Sequence, residues 1–136
     1  MYEYNTGGFY MKLIKNVTTE LRDFGSGLKL KILLDKVTGA KNLDLGTVMI
    51  EPNCKTNMHS RTFEEIIYML SGKGEVITDT GDVYTLDEGD CILIPPGVVH
   101  CHANSSDSPL EQLYIFAPQA TDDIEESLRN LPIIKD

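Results

Sequence analysis

From Leu28 to Phe116 the chain is a succession of short β-prone runs, each closed by turn residues after roughly eight to twelve positions. The runs are Leu28 to Leu34, Leu45 to Glu51, Glu65 to Leu70, Glu75 to Thr78, Val83 to Leu86, Cys91 to Pro95, Val99 to Ala103 and Glu111 to Ala117. Between them stand Thr38-Gly39, Pro52-Asn53, Ser71-Gly72, Thr80-Gly81, Glu88-Gly89 and Pro95-Pro96-Gly97, residue pairs that bend a chain and do not extend it. Such spacing predicts an all-β sandwich or barrel. At 136 residues there is room for one such core and no second domain.

After Pro118 the period changes. Ile124, Leu128 and Leu131 recur at helical spacing behind an acidic start, with Asp122 to Glu125 in the positions of a capping box. One amphipathic helix is therefore expected to close the chain over an edge or end of the barrel. The expected organisation is an N-terminal arm (1–27), a β-barrel (28–117) and a C-terminal helix and tail (118–136).

Charge and cysteines narrow the function classes. Twelve Lys and Arg against 21 Asp and Glu give a formal charge of -9, so nucleic acid is not an expected partner: phosphate binding needs a basic footprint. No run is long and apolar enough for a membrane helix. The cysteines, Cys54, Cys91 and Cys101, are odd in number and include no C-x-x-C pair, which points to neither a disulfide framework nor a thiolate zinc site. Cys54 and Cys91 read as small buried hydrophobes. With no signal peptide read at the N-terminus, a cytoplasmic location is expected.

Strand parity then gathers polar residues where a small barrel has little room for them. Residues two apart share a face, which joins His59 with Arg61, Glu65 with Ile67 and Met69, and His100 with His102 and Asn104. Cys101, Glu64 and Tyr68 fall on opposite faces, away from that group. If the polar rows point inward, unpaired groups there are expensive, and the rows read as a built site.

Here the sequence resembles the cupin superfamily. Its first motif, G-x5-H-x-H-x3-E-x6-G, is met by His59, Glu65 and Gly72, with Asn53 in place of the first glycine and Arg61 in place of the second histidine. Its second, G-x5-P-x-G-x2-H-x3-N, is met throughout by Gly89, Pro95, Gly97, His100 and Asn104. The resemblance implies a single-domain cupin, a double-stranded β-helix or jelly-roll barrel. It implies one divalent transition metal, Fe, Mn, Ni or Zn, held by His59, Glu65 and His100. Arg61, His102, Ile67 and Met69 would then face a small-molecule ligand. His102 is expected to line the pocket, with replacement of the missing ligand as the alternative. By the same analogy a homodimer is expected, with Tyr2, Tyr4, Phe9 and Tyr10 of the arm available to the contact.

Arg61 opposes the ion. A guanidinium about 6 Å from a divalent cation at an effective dielectric of about 20 is repelled by roughly 5 kcal/mol. An anionic ligand shared by metal and Arg61 removes that cost, and so does a metal-free pocket with Arg61 paired to Glu65 or Glu64. Three functions follow: a metal-dependent enzyme on a small anionic metabolite, whose reaction among the dioxygenases, isomerases, lyases and decarboxylases of the family is not selected; a non-catalytic metal-free binding module; and a metal-free sugar-phosphate or sugar-nucleotide isomerase with His100 or His59 as base.

Overall fold

Leu110, Gln112, Tyr114 and Phe116 point inward and their neighbours outward along the last long strand, the two-residue period that the sequence shows there. The computed structural model describes residues 11–135, and the arm residues Tyr2, Tyr4, Phe9 and Tyr10 lie outside them. In chain order the strands are β1 (Arg22–Gly25), β2 (Leu28–Leu34), β3 (Asp44–Ile50), β4 (Cys54–Lys55), β5 (Glu64–Ser71), β6 (Gly74–Thr78), β7 (Val83–Leu86), β8 (Cys91–Ile94), β9 (His100–Asn104) and β10 (Leu110–Ala117). One helix, α1 (Asp122–Arg129), follows. None of the described helices is long and apolar enough to cross a membrane.

The strands form two antiparallel sheets. One is six-stranded in the order β1-β2-β3-β10-β5-β8, and the other four-stranded in the order β4-β9-β6-β7. Their facing sides enclose a core in which Leu28, Ile50, Ile67, Met69 and Leu110 are fully buried. This is the expected all-β barrel, in which the chain after β3 crosses repeatedly from one sheet to the other in the manner of a jelly roll.

Two turns carry the motif residues. Asn53 holds φ 60, the left-handed region that glycine takes most easily and asparagine tolerates best among the other residues. The missing glycine of the first motif thus costs little here. Gly97 (φ 86) closes the Pro95-Pro96-Gly97 turn and donates its N–H to the Arg61 carbonyl at 2.8 Å, tying the entry of β9 to the segment before β5.

Three expectations need correction. Part of the arm is sheet: β1 pairs with β2, and its other edge is met by the C-terminal tail through Asp23 N to Pro132 O (2.8 Å) and Ile134 N to Leu21 O (2.7 Å). The helix has no capping box, because Thr121 is the N-cap without a side-chain bond. Glu125 turns into the protein instead and accepts the Lys36 N–H at 3.2 Å. Cys91 is exposed, since its face of the edge strand β8 has no covering layer.

The helix lies over one end of the barrel, with Ile124, Leu128 and Leu131 packed against the core. Arg129 grips Asp35 with two bonds of 2.8 and 2.6 Å, and Arg22 of β1 donates to the Arg129 carbonyl at 2.7 Å. Burial raises the Asp35 carboxyl, but the Arg129 and Thr38 hydrogen bonds outweigh it and leave its pKa lowered. The strand the sequence did not announce and the helix it did therefore lock together.

Candidate metal centre

His100 and His102 stand two apart on β9 and both point between the sheets, where they are 1% and 5% exposed. His59 reaches them from the segment after β4. It exchanges both backbone bonds with His100, His59 N to His100 O and the reverse, each 2.9 Å, a single antiparallel bridge that fixes the two side chains on one side. Glu65 enters from the opposite sheet as an inward residue of β5, level with Phe116 of β10 and Ile94 of β8. Local rules thus deliver four donors to one place.

The geometry suits a cation. One ligand atom from each of His59, Glu65, His100 and His102 can be chosen so that all lie within 4.8 Å of one another. His59 Nδ1 lies 2.8 Å from the Asn57 carbonyl and His100 Nδ1 lies 2.8 Å from the Val98 carbonyl. A carbonyl only accepts, so both rings carry a proton on Nδ1 and turn Nε2 into the site, the usual way a protein orients a metal-binding imidazole; His100 Nε2 also donates to the Glu65 carboxylate and would give up that proton to ligate. Glu65 Oε1 lies 3.2 Å from His100 Nε2 and Oε2 lies 2.9 Å from His102 Nε2. The second approach is off the hydrogen-bonding line, and both ring nitrogens of His102 are buried without a hydrogen bond. A buried imidazole left so is costly unless something takes its lone pair. A divalent ion would, and three imidazoles with one carboxylate suit Fe, Mn, Ni or Zn.

Charge in the cluster is arranged for the same purpose. Burial lowers the His59 pKa to about 4, with Arg61 adding to the effect against the Asn57 carbonyl, so the ring stays neutral and able to ligate. Burial raises Glu65, yet its contacts with His100 and His102 outweigh that and hold it ionised far below the usual range. His100 is raised in return: burial disfavours its charge, and the Glu65 carboxylate more than compensates.

Arg61 sits beside this group. It lines the same cavity as His59, Glu65 and His102. Its Nε is buried with no hydrogen bond, and among the described residues it makes no ion pair. The expected alternative of a pairing with Glu65 or Glu64 is therefore not found: Glu65 is taken by histidines and Glu64 faces solvent.

The cavity has a volume of about 60 Å³, and its walls are largely apolar, with Leu28, Leu30, Val48, Ile67 and Phe116 from the large sheet. Ile67 is thus where parity put it. Met69 is not: it does not line the cavity, and its Cε lies against Gly74 instead. Cys101 is buried outside the cavity, and Tyr68 is exposed on the outer face, as parity requires.

Sequence reading missed Gln112 and Tyr114, both cavity residues. The signal was present, since an amide stands in the inward row Leu110, Gln112, Tyr114, Phe116. Phe24 and Leu128 also line the cavity and carried no signal, because they come from β1 and α1 outside the barrel pattern.

The fold has many solved counterparts. The polyketide cyclase RemF from Streptomyces resistomycificus is similar at 21% identity, over 88% of this chain and 93% of that one, with a TM-score of 0.71. An RmlC-like cupin from Shewanella frigidimarina is similar at 23% identity, over 81% and 92% of the two chains, with a TM-score of 0.67. A sugar phosphate isomerase of the cupin superfamily from Silicibacter pomeroyi is similar at 18% identity, over 82% of each chain, with a TM-score of 0.67. At such identities the likeness carries the fold alone. No curated protein sequence matches the chain. The family model for the cupin domain matches residues 46–116, the stretch that holds His59, Glu65, His100 and His102, and the chain belongs to the cupin family.

Proposed function

We propose that this protein binds one divalent transition metal through His59, Glu65, His100 and His102, and uses it with Arg61 to hold a small anionic metabolite. The observation that carries the reading is the convergence of four donors within 4.8 Å, two of them with Nε2 turned into the site by backbone carbonyls at Nδ1 and one with no hydrogen bond at all. Three neutral imidazoles and one carboxylate leave a net charge of +1 on a bound divalent ion, which an anion completes.

When bound, the ion supplies Lewis acidity toward an oxygen of the ligand. The chain's own residues do the rest. The Asn57 and Val98 carbonyls hold His59 and His100 in one tautomer, and Glu65 stays ionised between His100 and His102. Arg61 offers the ligand a permanent positive charge whose Nε is already stripped of water. Ile67, Leu30, Val48 and Phe116 keep the rest of the cavity dry, which strengthens each of these interactions. The neighbours named as a polyketide cyclase and a sugar phosphate isomerase perform unlike reactions, so the fold selects no reaction here.

A metal-free pocket is the second reading, favoured by the contacts that Glu65 already makes with His100 and His102. Elemental analysis separates the two. Protein expressed with abundant Fe, Mn, Ni and Zn should carry close to one equivalent of metal, or take one up on titration after stripping. Less than a tenth of an equivalent in both measurements sinks the first reading and leaves the second.

A further inference from the structure

Of the four inward residues of β10, three are apolar or aromatic and one is an amide. Gln112 is 4% exposed and opens into the cavity, yet among the described residues its side chain makes no hydrogen bond. Its partners in register, Val48 on β3 and Met69 on β5, offer no hydroxyl, amide or carboxylate. The amide atoms are not sealed from solvent: they reach the cavity, where water or a ligand can pair with them.

The permanent charge of the same cavity is Arg61, whose Nε is buried without a hydrogen bond, at its far end. Phe116 is level with Glu65, and Gln112 stands four residues earlier on β10, so its rung lies about 13 Å deeper in the barrel. Leu30, Ile67 and Phe116 wall the space between. The cavity thus has one charged end, one neutral polar end and an apolar middle. The cavity volume of about 60 Å³ is small, so an occupant is short.

On the reading that the cavity seats a small anion, we infer that Gln112 determines specificity: the ligand is a short carboxylate with one negative charge at the Arg61 end and an uncharged hydroxyl or carbonyl oxygen at the Gln112 end. An amide donates and accepts, so it suits either oxygen. A second carboxylate there would be buried against no cation, which disfavours dicarboxylates.

The test is calorimetric titration of the purified protein, its metal content measured, with ω-hydroxyalkanoates of four to six carbons, the matching alkanoates and the matching dicarboxylates. At the best length the hydroxy acid should bind about tenfold or more tighter than both analogues. Gln112→Leu should remove that preference, so that hydroxy acid and alkanoate bind about equally. Gln112→Asn, which keeps the amide but shortens it, should move the optimum to a longer chain. Equal binding of hydroxy acid and alkanoate at every length overturns the assignment, as does failure of every acid to bind or a preference that survives in the Leu variant. A hydroxy-acid preference in protein that takes up no metal upholds Gln112 and refutes the metal reading; stoichiometric metal with no preference does the reverse.

Discussion

A permanent cation next to three imidazoles and a carboxylate places two opposite demands on one cavity. Arg61 lowers the pKa of His59 and opposes the charge of His100, so its field reaches the donors and would act against a metal in the same way. Arg61→Gln should therefore tighten metal binding by tenfold or more, since relief of only 1.4 kcal/mol of the roughly 5 kcal/mol repulsion is enough. The same change should weaken binding of short carboxylates. A competition titration with a metallochromic chelator reads the first effect and calorimetry the second; weaker metal binding in the variant would mean that Arg61 supports the ion through its contacts. His102 makes the complementary case. Its ring nitrogens make no hydrogen bond and have only the Glu65 carboxylate close by, so His102→Ala should lower metal affinity by roughly a hundredfold or more, a scale reached even when outer partners of metal ligands are removed. At this scale the sequence was partly legible. The resemblance to the cupin motifs singled out His59, Glu65 and His100, and parity put His102 on the face of His100. Parity gives direction only, however: it put His102 in the cavity lining, where it is found, but carried Met69 along with Ile67, and the Met69 side chain lies against Gly74 and does not line the cavity.

Strand β1 and helix α1 hold each other, and the joint between them contains a second group of buried charges. Asp44 of β3 accepts the Ala120 N–H at 3.1 Å, while its other oxygen and Glu125 Oε2 are buried without hydrogen bonds. Burial pushes the Asp44 pKa from 3.8 up to about 7, with Glu125 and Asp35 adding to it against the Ala120 N–H. The folded protein therefore keeps a proton between about pH 4 and pH 7 that the unfolded chain gives up. Its contribution to stability is complete below about pH 4, falls as pH rises by up to about 1.4 kcal/mol per unit, and is gone above about pH 7. Asparagine is neutral throughout and keeps both an acceptor for Ala120 and a donor for Glu125. Asp44→Asn should thus melt increasingly above the wild type from pH 5 to pH 8, and a gap that stays constant over that range would exclude the shared proton. Asp35 does not interfere, because its lowered pKa acts at more acid pH. The helix was legible from Ile124, Leu128 and Leu131, whereas β1 was not: Arg22-Asp23-Phe24-Gly25 has no apolar alternation and is a strand because β2 and the C-terminal tail pair with it. Glu125 was read as a cap because local spacing allowed it, but Asp44, distant in sequence, gives it another use.

Across the whole molecule, two sheets are packed around a group that a plain core would exclude. The barrel was legible because turn residues and apolar runs repeat along the whole of it, and because its motif residues set the approach of both sheets. The closure of its open end by β1 and α1 was not, since it depends on contacts between segments about a hundred positions apart, such as Arg22 with Arg129. The cost of the buried cluster is met in part without metal, through Glu65 with His100 and His102, so stripped protein should still unfold cooperatively. Metal adds to this only by binding the folded state. At a free concentration a thousandfold above Kd the gain is about 4.1 kcal/mol, which for a chain of this size raises Tm by roughly 10 °C or more. The increment should grow with the logarithm of metal concentration and shrink sharply in His102→Ala. Calorimetric melts of stripped and loaded protein test this directly. Identical melting temperatures at saturating metal would mean that the four residues form a polar layer and not a metal centre; a stripped protein that fails to fold would mean that the contacts of Glu65 are too weak to hold the barrel on their own.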